Sequence, residues 1–348
     1  MIKVLIVDDS VFMRTVIRDM LSTDRSIEIV GTATNGIDAL EKIRDLTPDL
    51  VTLDIEMPKM NGIEVLKELQ PHKTRPKILV LSSLTSRDAE MTHEAIRLGA
   101  DDFMLKPKDI PHVREISEEL ILKIKHIVSL KRVEKLNRKS GPSSAADRVV
   151  LIGSSAGGPP MLDTLLAELP ADLPAGVVVT QHMPVGFTAS LAERFNRITS
   201  LPVDETKNGD FVETGRILLS RAGVHTVISG DIRENGSKTG RIVHTTSPPL
   251  HGVRPAVDKT FESAAQVYGK NIVSVILSGM GHDAGAGALA IKQAGGVSLI
   301  CDEKDCLVYG MARSAIQKNA VDKVLPLRKL AMEIERVIRE MEGGHVRI

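Results

Sequence analysis

Serine, histidine and aspartate residues follow three aliphatic runs between residues 149 and 283 of the 348-residue sequence. Ser154 and Ser155 follow VVLIG, His182 follows VVVTQ, and Asp283 comes shortly after SVILS. A serine hydroxyl becomes a nucleophile when a histidine accepts its proton and an acidic residue orients that histidine. These residue types at strand ends indicate ester or amide chemistry through a covalent serine intermediate, with either serine of the pair as the nucleophile.

The glycine-rich segment GSSAGG around these serines also allows a second interpretation. A glycine turn between a strand and a helix presents backbone N–H groups to a phosphate or to a developing oxyanion. The spacing differs from G-x-G-x-x-G and the P-loop lysine is absent, so nucleotide binding has weak support. The order Ser, His, Asp also differs from that of α/β-hydrolases, which disfavours that fold.

A second group of reactive residues lies in the N-terminal part of the chain. Asp8 and Asp9 follow IKVLIV, Asp54 ends LVTLD, and Lys106 follows DDFML. Carboxylates gathered at one sheet edge repel one another unless a cation lies between them. Mg²⁺ prefers oxygen ligands and often binds through a few carboxylates plus phosphate oxygens. The pattern predicts a Mg²⁺ site that receives a phosphoryl group.

The elements that must position these residues alternate along the whole chain. Residues 1–130 alternate short aliphatic runs with amphipathic stretches, which predicts five βα units, and a second alternation begins at VVLIGSS. We predict an α/β protein with two doubly wound parallel-sheet domains, the first flavodoxin-like and the second Rossmann-like. Their predicted bounds are 1–125 and 147–348, joined by a basic linker at 126–146. Residues 231–240 (DIRENGSKTG) predict a hairpin or loop tip.

Composition excludes several classes of protein. Lys plus Arg and Asp plus Glu are 45 each, aromatic residues reach only 2% and tryptophan is absent, so a basic nucleic-acid binder with stacking aromatics is excluded. The sequence has neither an apolar run of membrane-spanning length nor a signal-peptide pattern, so we expect a cytoplasmic protein without membrane insertion. We expect the two cysteines, Cys301 and Cys306, to be reduced thiols.

Residues 1 to about 125 resemble a two-component receiver domain, on the strength of the Asp pair, DLVTLDIEMPKMNG and the Lys-Pro dipeptide. The resemblance implies that Asp54 is the phosphoacceptor and that Mg²⁺ is held by Asp8, Asp9, Asp54 and the backbone carbonyl of Glu56. It further implies three switch residues. Ser82 would bond the phosphoryl oxygens, Lys106 would pair with the phosphate, and the ring of Phe103 would change orientation on activation.

Residues 147 to about 340 resemble the catalytic domain of chemotaxis protein-glutamate methylesterases, through IGSSAGG, QHMP, SGMGHDAGAG and VRPAVDKTFESAA. The resemblance implies a triad of Ser155, His182 and Asp283, with Ser154 standing where the family often has alanine. It also implies an oxyanion contact from the Met280 N–H. Arg254 and Asp258 would lie at the rim of the substrate cleft.

Together these resemblances imply a phosphorylation-regulated esterase of chemotaxis adaptation. It would demethylate glutamate methyl esters on methyl-accepting chemotaxis receptors, releasing methanol, and would deamidate receptor glutamines. A chemotaxis histidine kinase would be the phosphodonor. Mg²⁺ would serve only the receiver, and the esterase step would need no cofactor. We expect a monomer in which the unphosphorylated receiver occludes the cleft and the basic linker helps to dock the receiver or anionic receptor helices.

Two other classes remain at this stage. A receiver-controlled protein with a non-catalytic or nucleotide-binding second domain would show affinity for a dinucleotide. A transcription factor would carry a basic excess in its output domain, whereas the basic and acidic residues from Asp147 onward balance.

Overall fold

The computed structural model describes residues 1–72, 74–83, 85–106, 113–129, 144–232 and 238–342. The chain forms two compact units, Met1–Arg132 and Val133–Ile348. Each unit is built on a parallel sheet with helices between its strands, which confirms the predicted α/β fold class. Most of the predicted linker, including its basic stretch and the role suggested for it, lies outside the described residues.

The first unit contains a five-stranded parallel sheet in the order β2-β1-β3-β4-β5. Its strands are β1 (Ile2–Val7), β2 (Ile27–Ala33), β3 (Leu50–Asp54), β4 (Lys77–Ser82) and β5 (Asp102–Leu105). Its helices are α1 (Val11–Leu21), α2 (Gly36–Leu46), α3 (Gly62–Leu69), α4 (Ser86–Arg97) and α5 (Val113–Ser129).

Local chemistry fixes where the elements of this unit begin. Asn61 and Glu64 form a capping box at α3, in which each side chain accepts the other's backbone N–H, at 2.9 and 2.8 Å.

The strand order reverses direction between β1 and β3, and such a switch point leaves a crevice at the carboxyl ends of the two strands. The ends of β1 and β3 carry the predicted aspartates.

The second unit contains a seven-stranded parallel sheet in the order β14-β13-β12-β6-β7-β9-β8, with a separate antiparallel hairpin, β10-β11. Its strands are β6 (Val149–Ser154), β7 (Gly176–Gln181), β8 (Val203–Glu205), β9 (Ile217–Leu219), β10 (His225–Ile232), β11 (Lys238–Thr245), β12 (Ile272–Ile276), β13 (Val297–Cys301) and β14 (Lys323–Leu325). Its helices are α6 (Gly158–Ala167), α7 (Thr188–Ile198), α8 (Val257–Tyr268), α9 (Gly285–Gln293), α10 (Gly310–Gln317) and α11 (Leu327–Glu342).

The central strands of this sheet are buried on both faces. Every residue of β6, β7, β12 and β13 is buried, as expected for parallel strands covered by helices on two sides. The aliphatic core also includes Phe261 and Tyr268 of α8. The order in which strands are added to the sheet reverses between β6 and β12, which makes this position the switch point. The predicted triad residues follow the strands at and next to this point.

Described contacts of both units extend a few residues into the predicted linker. Helix α5 continues to Ser129, beyond the predicted end of the receiver at 125. The second unit already includes Ala146, whose N–H donates to the Val212 carbonyl at 2.8 Å. The predicted hairpin at 231–240 coincides with the ends of β10 and β11, and its tip, 233–237, lies outside the described residues. Within the part of the chain that the structure describes, no helix is long and apolar enough to cross a membrane.

Candidate active site and phosphoacceptor cluster

The candidate triad residues come from three adjacent strands of the second sheet. Strand β6 lies between β12 and β7, with Gly153 paired to Ile276 on one side and Ser154 paired to Gln181 on the other. Ser155 and His182 each come one residue after their strands end. The register therefore brings the loops that follow these strands to one edge of the sheet.

His182 and Asp283 form a hydrogen-bonded pair at this edge. The Nε2 atom of His182 lies 2.7 Å from Oδ2 of Asp283, and both side chains are at least nine-tenths buried. The Nδ1 atom of His182 makes no hydrogen bond with any described residue. One ring nitrogen is thus engaged by the carboxylate, and the other remains available as a base.

The Asp283 carboxylate is held by the start of helix α8. Its oxygens accept the backbone N–H groups of Val257 and Asp258, at 2.6 and 2.8 Å, and of Ala284 at 2.9 Å. Burial alone would raise the pKa of Asp283, but the hydrogen bonds from His182 and from these amides outweigh it and hold the pKa below its usual value. Asp283 is therefore ionised at neutral pH and orients the imidazole as an acceptor.

The two neighbouring serines have different surroundings. Ser154 is fully buried, and its hydroxyl lies 2.5 Å from Oε1 of Gln181. Ser155 is half-buried, its N–H bonds to the Ser278 carbonyl at 2.9 Å, and its hydroxyl bonds to no described residue. Only the Ser155 hydroxyl is open to a reactant.

The loop after β12 lies against the turn that contains Ser155. A Cβ atom on Gly279 would lie 3.0 Å from Cβ of Ser155 and only 2.1 Å from Sδ of Met311, so the close approach requires glycine. The next residue, Met280, has an exposed side chain and a backbone N–H that makes no hydrogen bond within the described residues. An unpaired amide beside a serine is suited to binding an oxyanion.

The structure places Arg254 and Asp258 differently from each other. The Arg254 guanidinium donates to the carbonyls of Thr246 and Ser247, at 3.1 and 3.2 Å, in a partly exposed loop. Asp258 is only 1% exposed, so its carboxylate presents almost no surface to a substrate. It lies behind Asp283 because the first turn of α8 is packed into the core.

The buried Asp258 carboxylate has its own partners. Its Oδ1 accepts the Gly287 N–H at 2.7 Å, and its Oδ2 lies 3.0 Å from Nε2 of His251. Burial raises the pKa of Asp258, and the nearby Asp283 charge adds to that rise. His251 carried no motif, so sequence reasoning did not select it.

Two further residues that sequence reasoning missed hold the catalytic loops together. The Ser278 hydroxyl donates to the Ala156 carbonyl at 2.7 Å and accepts the Val308 N–H at 3.0 Å. The Gln181 amide donates to the carbonyls of Ser155 and His182, at 3.0 and 2.9 Å. The only signal in the sequence was proximity, since Gln181 directly precedes His182 and Ser278 lies two residues before Met280.

The first unit gathers its predicted acidic residues at the switch point. Carboxylate oxygens of Asp8, Asp9 and Asp54 lie within 4.8 Å of one another. Nζ of Lys106 lies 2.9 Å from Asp8 and 2.7 Å from Asp54. Three carboxylates gathered around one ammonium leave an excess of negative charge. This donor set fits Mg²⁺.

Burial controls the electrostatics of this cluster. It raises the pKa of Asp54 to about 6, even though the hydrogen bond and charge of Lys106 lower it. For Lys106, burial lowers the pKa, but the two carboxylates outweigh it and raise the pKa above its usual value. Burial therefore favours the neutral form of Asp54, and a cation placed next to the carboxylate would favour the ionised form.

The predicted switch residues lie on the two strands beyond Asp54. Ser82 ends β4, is 2% exposed and accepts a hydrogen bond from the Thr92 hydroxyl at 2.8 Å. Its neighbour Ser83 donates instead to Asp88 at 2.5 Å. Phe103 lies on β5 and is 5% exposed, so its ring is turned into the unit.

Comparison with known families decides the class of this chain. A model of the CheB methylesterase family matches residues 150–334, and a model of the response regulator receiver domain matches residues 4–118. The chain belongs to the CheB methylesterase family. The protein-glutamate methylesterase/protein-glutamine glutaminase 1 of Methanospirillum hungatei JF-1 is 57% identical over 344 residues, which cover 99% of this chain and all of the relative.

Other CheB relatives agree with this assignment. A protein-glutamate methylesterase/protein-glutamine glutaminase of Pyrococcus horikoshii is 37% identical, over 99% of this chain and 95% of its own length. The crystal structure of the Thermotoga maritima CheB methylesterase catalytic domain matches 54% of this chain and 97% of its own, at 38% identity and a TM-score of 0.52. The predicted combination of receiver and CheB methylesterase domains is confirmed, and a nucleotide-binding second domain is not favoured.

Proposed function

We propose that this CheB-family chain hydrolyses glutamate methyl esters on methyl-accepting chemotaxis receptors under the control of receiver phosphorylation. The proposal rests above all on the hydrogen-bonded His182–Asp283 pair, which lies at the sheet edge that also carries the open hydroxyl of Ser155. The names of full-length relatives supply the substrate class.

In the first half of the reaction, Ser155 attacks the carbonyl carbon of the methyl ester. The Nδ1 atom of His182 takes the serine proton, since Nε2 is held by Asp283. The tetrahedral intermediate carries its negative charge on the former carbonyl oxygen, which the Met280 N–H stabilises. Collapse of the intermediate returns the proton to the leaving oxygen, and methanol departs from the acyl-enzyme.

In the second half, water replaces the alcohol. His182 removes a proton from the water as it attacks the acyl carbon, and the returning proton restores the Ser155 hydroxyl, which leaves a glutamate side chain. A receptor glutamine follows the same path with ammonia as the leaving group, which accounts for glutaminase activity. Asp283 stabilises the imidazolium in both halves without changing its own protonation state.

We assign the neighbouring residues different parts in this reaction. Arg254 is a candidate for contact with the receptor near the cleft. Asp258 holds Asp283 through its backbone N–H, at 2.8 Å, and we give it a supporting role in place of substrate contact.

In the receiver, we propose that Asp54 accepts the phosphoryl group. Asp8, Asp9, Asp54 and the Glu56 carbonyl would hold Mg²⁺, which neutralises charge on the phosphoryl oxygens during transfer. Lys106, now paired with Asp54 at 2.7 Å, would turn to the new phosphate. Ser82 would leave Thr92 to bond a phosphoryl oxygen, and Phe103 would repack as β4 and its loop shift.

The same function defines partners and location. A chemotaxis histidine kinase would donate the phosphoryl group, and the receptors would be substrates. We further propose that the protein is a monomer that works in the cytoplasm, where a two-component kinase meets its receiver.

Methanol release from methylated receptor membranes tests this function directly. We expect the full chain to release methanol, and to release it faster after incubation with Mg²⁺ and a small-molecule phosphodonor. A chain with Asp54→Asn should keep the basal rate and lose the stimulation. Absence of methanol from both preparations would overturn the esterase proposal, and an unchanged rate after phosphorylation would overturn its regulation.

A further inference from the structure

We propose that Gln181 is a positioning residue for the serine chemistry, and that Ser154 locks its orientation. The inference rests on the proposed function only in that Ser155 and His182 react together. Gln181 is the last residue of β7 and is 2% exposed. Its amide contacts the two residues whose separation decides whether the proton can be transferred.

The hydrogen bonds of Gln181 reach both sides of the candidate site. Nε2 donates to the Ser155 carbonyl at 3.0 Å and to the His182 carbonyl at 2.9 Å. The last backbone bond between the two strand ends runs from the His182 N–H to the Ser154 carbonyl at 3.0 Å. Beyond it the strands no longer pair, so the Gln181 amide continues the connection by one residue and links the nucleophile to the base.

The orientation of the amide follows from chemistry. Both carbonyls only accept hydrogen bonds, so the NH₂ end of Gln181 must face them, and Oε1 must face Ser154. The buried Ser154 hydroxyl satisfies Oε1 from 2.5 Å. A Cβ atom on Gly158 would lie 2.5 Å from Oε1 and 2.9 Å from Oγ of Ser154, so glycine at this position leaves room for the pair.

The role of Ser154 follows from this contact. Its hydroxyl touches neither His182 nor open space, so it acts on the reaction only through Gln181. A displacement of about 1 Å between reacting groups costs on the order of 100-fold in rate. Loss of the Gln181 hydrogen bonds should therefore slow the reaction of Ser155. Loss of the hydrogen bond from Ser154 to Gln181 alone should lower the rate only about fivefold, which corresponds to one neutral hydrogen bond.

A fluorophosphonate tests the inference without a receptor, because an active serine attacks its phosphorus atom, displaces fluoride and is left as a stable phosphonate ester. In the full-length protein, Gln181→Met keeps side-chain length and removes all three hydrogen bonds. We expect its maximal rate of Ser155 labelling to fall about 100-fold while the half-saturating concentration stays within about twofold. The maximal labelling rate of Ser154→Ala should fall about fivefold, and the double variant should be labelled no more slowly than Gln181→Met.

Thr180→Val provides the matched control. Thr180 precedes Gln181 on β7, is also buried, and bonds to Ser220 at 2.9 Å and to Thr260 at 3.2 Å, neither of which bonds to Ser155, His182 or Gln181 within the described residues. It should lower the melting temperature and leave the labelling rate unchanged. Three results would overturn the inference: an unchanged rate in Gln181→Met, an equal loss in Thr180→Val, or additive losses in the double variant. Normal labelling without methanol release would count against the receptor-esterase function alone.

Discussion

Oδ2 of Asp283 lies 2.7 Å from Nε2 of His182, and this contact selects the tautomer of the imidazole. The carboxylate is ionised and only accepts hydrogen bonds, so Nε2 carries the ring proton and Nδ1 presents its lone pair. In the proposed mechanism, the base that serves Ser155 is therefore Nδ1.

Asp283→Asn should remove most of the activity while preserving the fold. The amide NH₂ would donate toward Nε2 and stabilise the opposite tautomer, which leaves Nδ1 protonated and unable to accept a proton. We expect methanol release to fall on the order of 10⁴-fold. The control is Asp231→Asn, which removes the same charge from a surface pair with Arg241. Activity within tenfold of the parent would contradict the assigned tautomer.

Ser155→Ala and Ser154→Ala should differ sharply. Removing the open hydroxyl abolishes the acyl-enzyme, so we expect methanol release to fall at least about 1,000-fold in Ser155→Ala. Ser154→Ala should retain about a fifth of the rate, since it loses one buried hydrogen bond. Mass spectrometry of the trapped phosphonate adduct identifies the modified serine. An adduct on Ser154 would reverse the assignment.

The stability of the metal-free receiver should fall as pH rises from about 4 to about 6. Burial raises the pKa of Asp54 from 3.8 to about 6, so the folded chain holds this proton more tightly than the unfolded chain. Above pH 6 the ionised, buried carboxylate costs about 3 kcal/mol. The difference in free energy of unfolding between Asp54→Asn and the parent should therefore shift by about 3 kcal/mol in favour of the variant from pH 4 to pH 7. Urea unfolding in the presence of EDTA measures this difference.

The exposed Asp45→Asn serves as the control for this measurement and should follow the parent at every pH. A difference between Asp54→Asn and the parent that does not change with pH would contradict the raised pKa.

Mg²⁺ should stabilise the receiver through its acidic cluster. Asp9 has an exposed side chain and contributes one of the three carboxylates within 4.8 Å. Mg²⁺ should raise the melting temperature. We expect Asp9→Asn to increase the Mg²⁺ concentration at the midpoint of that rise at least tenfold. Asp19→Asn, on the exposed face of α1, should leave the midpoint unchanged. Equal midpoints in both variants would place the ion elsewhere.

The unphosphorylated receiver should restrain the esterase. The fragment 144–348, which keeps the bond from Ala146 to Val212, should release methanol roughly 5- to 100-fold faster than the unphosphorylated full chain. Phosphodonor should raise the rate of the full chain and leave the fragment unaffected. Equal rates for fragment and unphosphorylated full chain would eliminate inhibition by the receiver.

The sequence predicts the central strands of this fold well, because buried parallel strands are continuous aliphatic runs. The edge strands β8 and β14 were not predicted, since three residues are too few to show a periodic pattern. The hairpin at 231–240 was predicted from its turn residues, which lie between apolar alternations. The exact ends of helices depend on side-chain contacts such as the Asn61 cap of α3, which the hydrophobic pattern alone does not show.

The candidate site was predicted at the residues that end strands. Ser155, His182 and Asp283 belong to distinctive motifs, whereas Gln181 and Ser278 act through hydrogen bonds that depend on the packing of neighbouring loops. The motif around Asp258 gave no indication that the first turn of α8 is buried. The strand-end pattern alone left Ser154 and Ser155 equivalent, and the family resemblance favoured Ser155. The structure adds a physical difference, because the Ser154 hydroxyl is buried against Gln181.

Because β6 lies between β7 and β12, the sheet cannot be completed in the order in which the ribosome synthesises its strands. Strands β6 and β7 emerge early, but one edge of β6 has no partner in the sheet until β12 has been made, more than 100 residues later. An unpaired strand edge of this kind invites association with other chains. The nascent esterase is therefore most vulnerable to aggregation between synthesis of β7 and β12, the same interval that precedes the arrival of Asp283.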